Sequence, residues 1–208
     1  MSKYTTNEEE SQCLPNRLGL TRPGEIAEAE FEGFLLAEIM LTETLTTATR
    51  FDCQYIRNIH KLALKELYTF AGRYRTVNMS KGGFLFPSAL FIPQSMQFFE
   101  DEILKKLPDT YPDKASLAKD VAIVHGELLF IHPFREGNGR STRIWLDQIL
   151  KKELGKVVDW SKVDKDDYLM AMERSPIKDI EIKVILQKAL TDQIDDREMF
   201  MKGVDHSY

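Results

Sequence analysis

Apolar positions recur at helical spacing through most of this chain. Phe31, Phe34, Leu35 and Ile39 form one stripe behind a start signal at Thr21 and Pro23. Asp52 is placed to cap a second helix that carries Ile56, Ile59, Leu62, Ala63 and Leu67. Both are expected to be core helices with no chemistry of their own. From Gln94 to Leu107 the set Met96, Phe99, Ile103 and Leu107 returns to the same period, and Leu107-Pro108 through Pro112 then reads as a loop. Ala115 to Phe130 is the most apolar stretch, with Leu117, Val121, Val124 and Leu128 on one face, so it is expected to be central and buried. Arg140 to Leu154 is a further helix stopped by Gly155. Three short helices follow, about 164 to 174, 179 to 190, and 192 to 202 with Thr191 as cap and Gly203 as stop.

The period changes only between Ala71-Gly72 and Pro93. There Thr76, Val77, Phe84, Phe86 and Phe91 surround Ser80-Lys81-Gly82-Gly83, the pattern of a short hairpin with a glycine turn. The expected architecture is therefore an all-α helical bundle with one inserted β-hairpin. A polar lead-in over residues 1–20, with its Glu8-Glu9-Glu10 run, precedes a single domain over 21–208.

With 208 residues, 43% of them hydrophobic, the chain can bury one core. Charged residues make up 29% of it, and basic and acidic ones are interspersed at a formal net charge of -5. That mixture argues against nucleic acid or an anionic membrane as a direct partner. Cys13 and Cys53 have neither CxxC spacing nor a histidine pair beside them, so neither zinc nor a disulfide framework is indicated. The first residues lack an apolar core like a signal peptide's, and no apolar run nears eighteen residues, so a soluble cytoplasmic protein is expected.

Chemistry concentrates in His132-Pro-Phe-Arg-Glu-Gly-Asn-Gly-Arg-Ser-Thr-Arg143, between two helices. Gly137 and Gly139 bracket Asn138 and allow consecutive N–H groups to turn inward as an anion nest. The next helix begins there and aims its unpaired N–H groups and dipole at the same spot, which suits a phosphate. Arg140 and Arg143 stand three apart on that helix and can both reach over its start. Glu136, the one carboxylate of the loop, suits Mg²⁺ held largely by water and phosphate. His132 is the general base, because imidazole titrates near neutrality. Taken singly these features are weak: glycine pairs occur in many turns, a histidine before a proline is usually structural, and paired arginines usually form a solvated face. Phe134 is packing. Their union within a dozen residues is what points to one reaction.

The segment HPFREGNGRSTR resembles the signature of Fic-domain proteins, HxFx(D/E)GNGRxxR, with no position missing. Phe70-Ala71-Gly72-Arg73-Tyr74-Arg75 followed by NMSKGGFLFPSALFIP is similar to that family's strand-and-flap region, and the likeness covers roughly residues 25 to 205. It implies an all-α Fic fold and transfer of AMP from Mg-ATP to Tyr, Thr or Ser hydroxyls of target proteins. It further implies that His132 deprotonates the hydroxyl and Glu136 coordinates Mg²⁺ bridging the α- and β-phosphates. Gly137, Asn138 and Gly139 would hold phosphates through backbone and amide, and Arg140 and Arg143 would contact the β- and γ-phosphates. Ile92 and Phe91 would wall the nucleotide pocket. The hairpin edge, Lys81, Gly82, Gly83 and Phe84 and on through Ile92, would align an extended target segment by strand addition. Small bacterial members modify topoisomerase B subunits, which makes such a subunit the implied partner; the sequence leaves the oligomeric state open, a homo-oligomer through helical faces included.

Many relatives are inhibited by a helix bearing (S/T)xxxE(G/N), whose glutamate pairs with the second arginine of the signature, here Arg143. The stretch Asp195 to Asp205 resembles the lead into a C-terminal version in which Ser207 is the motif's serine, and the supplied sequence stops at Tyr208 before any glutamate. The resemblance thus implies a truncated, derepressed enzyme; if its tail packs near the loop, Tyr208 or another nearby tyrosine is expected to be modified by the enzyme itself. An N-terminal version is disfavoured because Glu28 stands where Ser or Thr is needed ahead of Glu32-Gly33. Two rivals stay open: a relative that transfers UMP, phosphocholine or phosphate, and a catalytically silent nucleotide-binding regulator. Gly139 argues against phosphate transfer, which goes with lysine at that position, and no GxxxxGK(S/T) segment offers a P-loop.

Overall fold

The computed structural model of the chain describes residues 5–6, 13–81, 83–174, 180–193 and 201. Its elements run in the order β1 (Thr5–Thr6), α1 (Pro23–Glu43), α2 (Cys53–Leu64), β2 (Met79–Lys81), β3 (Phe84–Leu85), α3 (Ile92–Glu102), α4 (Lys114–Ile131), α5 (Asn138–Leu154), β4 (Val157–Val158), α6 (Lys165–Arg174), α7 (Ile180–Ala189) and β5 (Leu190–Thr191). The starts follow local chemistry. Pro23 opens α1, Asp52 caps α2 by accepting from the Tyr55 N–H at 2.8 Å, and Asp113 caps α4 through the Ser116 N–H at 2.8 Å. Gly155 ends α5 in the left-handed region.

Helix α5 is the central element. Its residues from Arg140 through Lys151 are all buried, although many are polar. The apolar α4 is buried on its Leu117, Val121, Val124 and Leu128 face, as expected, and leaves Ile123 and Phe130 exposed on the other. A polar helix can occupy the core because its charges are paired across the packing. Lys151 Nζ lies 2.5 Å from Glu38 Oε1, Gln148 Nε2 donates to that same oxygen at 3.0 Å, and Arg140 meets Glu30.

The same pairing corrects the stripe on α1. The buried face is Ile26, Glu30, Phe34, Ala37, Glu38 and Leu41, while Ile39 is exposed. Rotating Glu30 and Glu38 inward toward α5 turns Ile39 outward. Close approach of α1 to α2 depends on Gly33, where a Cβ would lie 2.0 Å from the Ala63 carbonyl oxygen.

The hairpin forms as expected, β2 antiparallel to β3 with Lys81 opposite Phe84. Part of the lead-in is ordered against it, because β1 pairs with β2 on the other side, Thr5 opposite Ser80. β2 is thus the middle strand, and β3 is the outer one. A second small sheet, which the sequence pattern does not announce, joins β4 to β5. Thr191 lies in that strand, its hydroxyl accepting from the Gln193 N–H at 3.3 Å, and most of the helix expected over 192–202 falls outside the described residues. Both cysteines are free thiols. Among the described residues no helix is long and apolar enough to cross a membrane.

Candidate active site

α4 ends on His132, whose backbone turns left-handed (φ 51°, ψ 60°) while its N–H still donates to the Leu128 carbonyl at 3.0 Å. It is the one positive-φ residue with a Cβ among the described residues, a conformation that costs roughly 1–2 kcal/mol. Arg75 holds it there. The guanidinium donates from Nε to the His132 carbonyl at 2.7 Å, from Nη1 to Val77 O at 2.8 Å and from Nη2 to Pro87 O at 2.5 Å. The Arg75 N–H donates to Pro133 O at 2.8 Å. Burial pushes this guanidinium's pKa down to about 10, still charged at neutral pH, so one buried cation ties the turn to the hairpin strand.

The imidazole of His132 lies on the ring of Phe86 with centroids 3.9 Å apart and planes 18° from parallel. Its Nδ1 is 3.3 Å from the Leu129 carbonyl. A carbonyl only accepts, so Nδ1 carries the proton and the basic lone pair is on Nε2. Phe86, which follows β3, therefore fixes the plane of the imidazole.

The loop beyond is braced from below. Asn138 clasps it, accepting from the Phe134 N–H at 2.8 Å and donating to the Phe134 carbonyl at 2.7 Å. The amide that the family resemblance assigns to phosphate thus also braces the loop backbone. His60 is wholly buried, stacks on Phe134 at 4.0 Å, accepts the Gly72 N–H on Nδ1 and donates from Nε2 to the Glu136 carbonyl at 3.0 Å. Burial drives its pKa down to about 4. Gly137 is left-handed (φ 75°), and a Cβ there would sit 2.7 Å from Phe34 Cζ, so this position requires glycine. Gly139 is different, because a Cβ would meet only Arg143 Nη1 at 3.4 Å. The nest thus rests on one left-handed glycine, not two. α5 then starts without a side-chain cap.

Glu136 Oε1 accepts from the Gly137 N–H at 2.9 Å and lies 3.3 Å from Arg140 Nη2. Arg140 is turned toward α1, paired with Glu30 at 2.6 Å and stacked over Phe34 at 4.5 Å. Arg143, 1% exposed, sits over the indole of Trp160 at 5.6 Å. That indole donates to Asp147 Oδ2 at 3.1 Å. Ile92 is fully buried in the main core, whereas the exposed Phe91 lines a cleft of about 370 Å³ with Pro87, Phe98, Glu127, Phe130 and Ile131. Of the expected docking residues, Lys81 is exposed on β2, Gly83 is left-handed (φ 85°) and Phe84 is 48% exposed on β3. Gly82, Ser207 and Tyr208 lie outside the described residues. Glu30, Phe34, His60, Phe86 and Trp160 carry no local motif that marks them. Arg75 is marked only by its place in the quoted FAGRYR run.

No cluster of three or more metal-ligating side chains exists among the described residues. The donor set fits a magnesium ion that arrives with a polyphosphate, taking one carboxylate from Glu136 and its other ligands from phosphate and water. It does not fit a resident metal.

A helical bundle whose buried loop joins a histidine, an acid and the uncapped start of a helix is the class of domain that these residues define. Residues 50–150 match the model of the Fic/DOC family. The chain carries a Fic domain. It is 28% identical to protein adenylyltransferase VbhT of Bartonella schoenbuchensis over 78% of this chain and 34% of that protein. It is 29% identical to the probable protein adenylyltransferase y4lH of Sinorhizobium fredii, over 79% of this chain and 84% of that one. The Escherichia coli probable protein adenylyltransferase Fic is 25% identical, over 86% and 88%. In fold it is similar to BepC from Bartonella tribocorum, a structure with bound AMPPNP, at a TM-score of 0.74 and 20% identity, covering 89% of this chain and 96% of that one.

Proposed function

We propose that this chain is a protein adenylyltransferase that moves AMP from Mg-ATP onto a Tyr, Thr or Ser hydroxyl of a target protein. The observation that carries the reading is the placement of the His132 base on a turn that leads, five residues later, into the uncapped start of α5. In this reading His132 Nε2 takes the proton from the target hydroxyl, whose oxygen attacks the α-phosphorus of ATP in line. The bond to the β-phosphate oxygen breaks and pyrophosphate leaves with the electron pair. The N–H groups at the start of α5 and Arg143 stabilise the phosphate charge, and Glu136 holds the magnesium ion, which supplies charge neutralisation between phosphates. His132, Glu136, Asn138 and Arg143 are each almost fully buried, so a triphosphate enters through the half-exposed Gly139 and Arg135 side of the loop only as neighbouring side chains yield.

The target segment adds to β3, the outer strand, because β1 already occupies the other side of β2. Incubation with Mg-ATP labelled at the α- or the γ-phosphate, in bacterial lysate, tests the reaction. AMP transfer leaves only the α label on protein. Retention of the γ label would mean phosphate transfer, and no protein label with intact ATP binding would mean a silent regulator. A topoisomerase B subunit is the first candidate to seek among labelled bands.

A further inference from the structure

Glu30 lies on α1, outside the loop and its flanking helices, yet its carboxylate touches the loop's charge network. It accepts from the buried Tyr68 hydroxyl on Oε1 at 2.6 Å and from Arg140 Nη2 on Oε2 at 2.6 Å. That same arginine nitrogen lies 3.3 Å from Glu136 Oε1. Two carboxylates therefore compete for one buried guanidinium, and the distances decide between them: the contact to Glu30 is a strong charge-assisted hydrogen bond, and the contact to Glu136 is a long one. Phe34, one turn further along α1, presses its ring against the guanidinium from the same side, 4.5 Å away. Helix α1 thus brackets Arg140 and draws it off the loop acid.

We propose that Glu30 is a positioning residue for metal handling, retaining Arg140 so that the Glu136 carboxylate keeps its capacity for the magnesium ion of an incoming nucleotide. This rests on the role given to Glu136 above. Without the charge on Glu30, the buried Arg140 leans on Glu136, and a cation then has to displace an ion pair before it can bind. Groups that orient a metal ligand from outside typically change metal affinity about 10- to 100-fold when removed.

The test is equilibrium binding of a non-hydrolysable ATP analogue to the full chain across a Mg²⁺ series. The parent, Glu30→Gln, Arg140→Met and the double variant are compared, with folding checked by circular dichroism. Glu30→Gln is expected to raise the half-saturating Mg²⁺ concentration about tenfold while binding at saturating Mg²⁺ is nearly retained. In the Arg140→Met background the same substitution is expected to add no further shift, because Glu30 acts through Arg140. Should Glu30→Gln fail to fold, Glu30→Asp withdraws the carboxylate by one methylene at constant charge and is expected to shift the requirement in the same direction by less. An unchanged Mg²⁺ requirement in a folded Glu30 variant of a metal-dependent parent overturns this inference alone, as does an equal shift with Arg140 removed. A parent that binds the analogue without regard to Mg²⁺ overturns the assignment of Glu136 as well.

Discussion

Phe86 and His132 lie face to face, 3.9 Å between centroids, although one belongs to the hairpin and the other to the end of α4. The stack decides the plane in which the base presents Nε2. Replacing His132 with Ala is expected to lower AMP transfer by about 100- to 10,000-fold with ATP binding retained. Phe86→Ala leaves the base in place but unbraced, so its expected loss is smaller, about tenfold in kcat, and Phe86→Tyr is expected to restore most of it. Single-turnover rates at saturating ATP check all three, and a Phe86→Ala rate equal to the parent's would detach the hairpin from catalysis.

The two loop glycines are expected to behave differently. Gly137→Ala forces a Cβ into a left-handed backbone and to 2.7 Å from Phe34, so it is expected to destabilise the fold by about 1–2 kcal/mol or more. For a chain of this size that lowers Tm by about 2–8 °C. Gly139→Ala meets only the end of a flexible side chain at 3.4 Å and is expected to leave Tm nearly unchanged. Its effect falls on nucleotide binding, since it narrows the half-exposed side of the loop. Differential scanning fluorimetry with and without Mg-ATP separates the two.

Much of this fold is legible in the sequence, and the failures share one cause. Helix periods, the cap at Asp52, the stop at Gly155 and the hairpin follow from local patterning. The loop could be found because its chemistry is contiguous. Glu30, Glu38 and His60 could not, because their partners are distant in sequence: Glu30 meets Arg140, Glu38 meets Lys151, and His60 meets Gly72 and the Glu136 carbonyl. Hydropathy reads a glutamate as solvent-facing, and only the packed partner helix reveals that it is buried and satisfied.

Stability is expected to fall on acidification below neutrality. His60 and His125 are wholly buried, and burial lowers their pKa values to about 4 and about 3 from the ordinary 6.5. Both stay neutral in the fold where the unfolded chain takes up a proton. Their contribution is therefore complete above about pH 6.5 and is lost as pH falls toward 4. For His60 the full loss is on the order of 3 kcal/mol. Asp147 opposes the trend, since burial raises its pKa to about 7 although the Val158 N–H and Trp160 indole donate to it. Tm measured at pH 7 and pH 5 for the parent and His60→Asn isolates the histidine. The variant is expected to be less stable at pH 7 and to lose less between the two pH values, and equal losses would refute the assignment.

Arg75 offers the sharpest test of how the hairpin is coupled to the loop. Its three donor nitrogens reach carbonyls on three segments: His132 at the turn, Val77 before β2 and Pro87 after β3. A lysine keeps the charge but concentrates its donors at one point and cannot span that fork. Arg75→Lys is therefore expected to release the left-handed His132 turn from the strand, to cost about 2 kcal/mol in stability through carbonyls left unpaired, and to lower kcat more than it raises the KM for ATP. The start of α5 is braced separately by His60 and Asn138, which is why nucleotide binding is expected to survive. Steady-state kinetics on a labelled target peptide distinguish the cases. A KM effect without a kcat effect would mean that the hairpin and the base are not mechanically joined through this guanidinium.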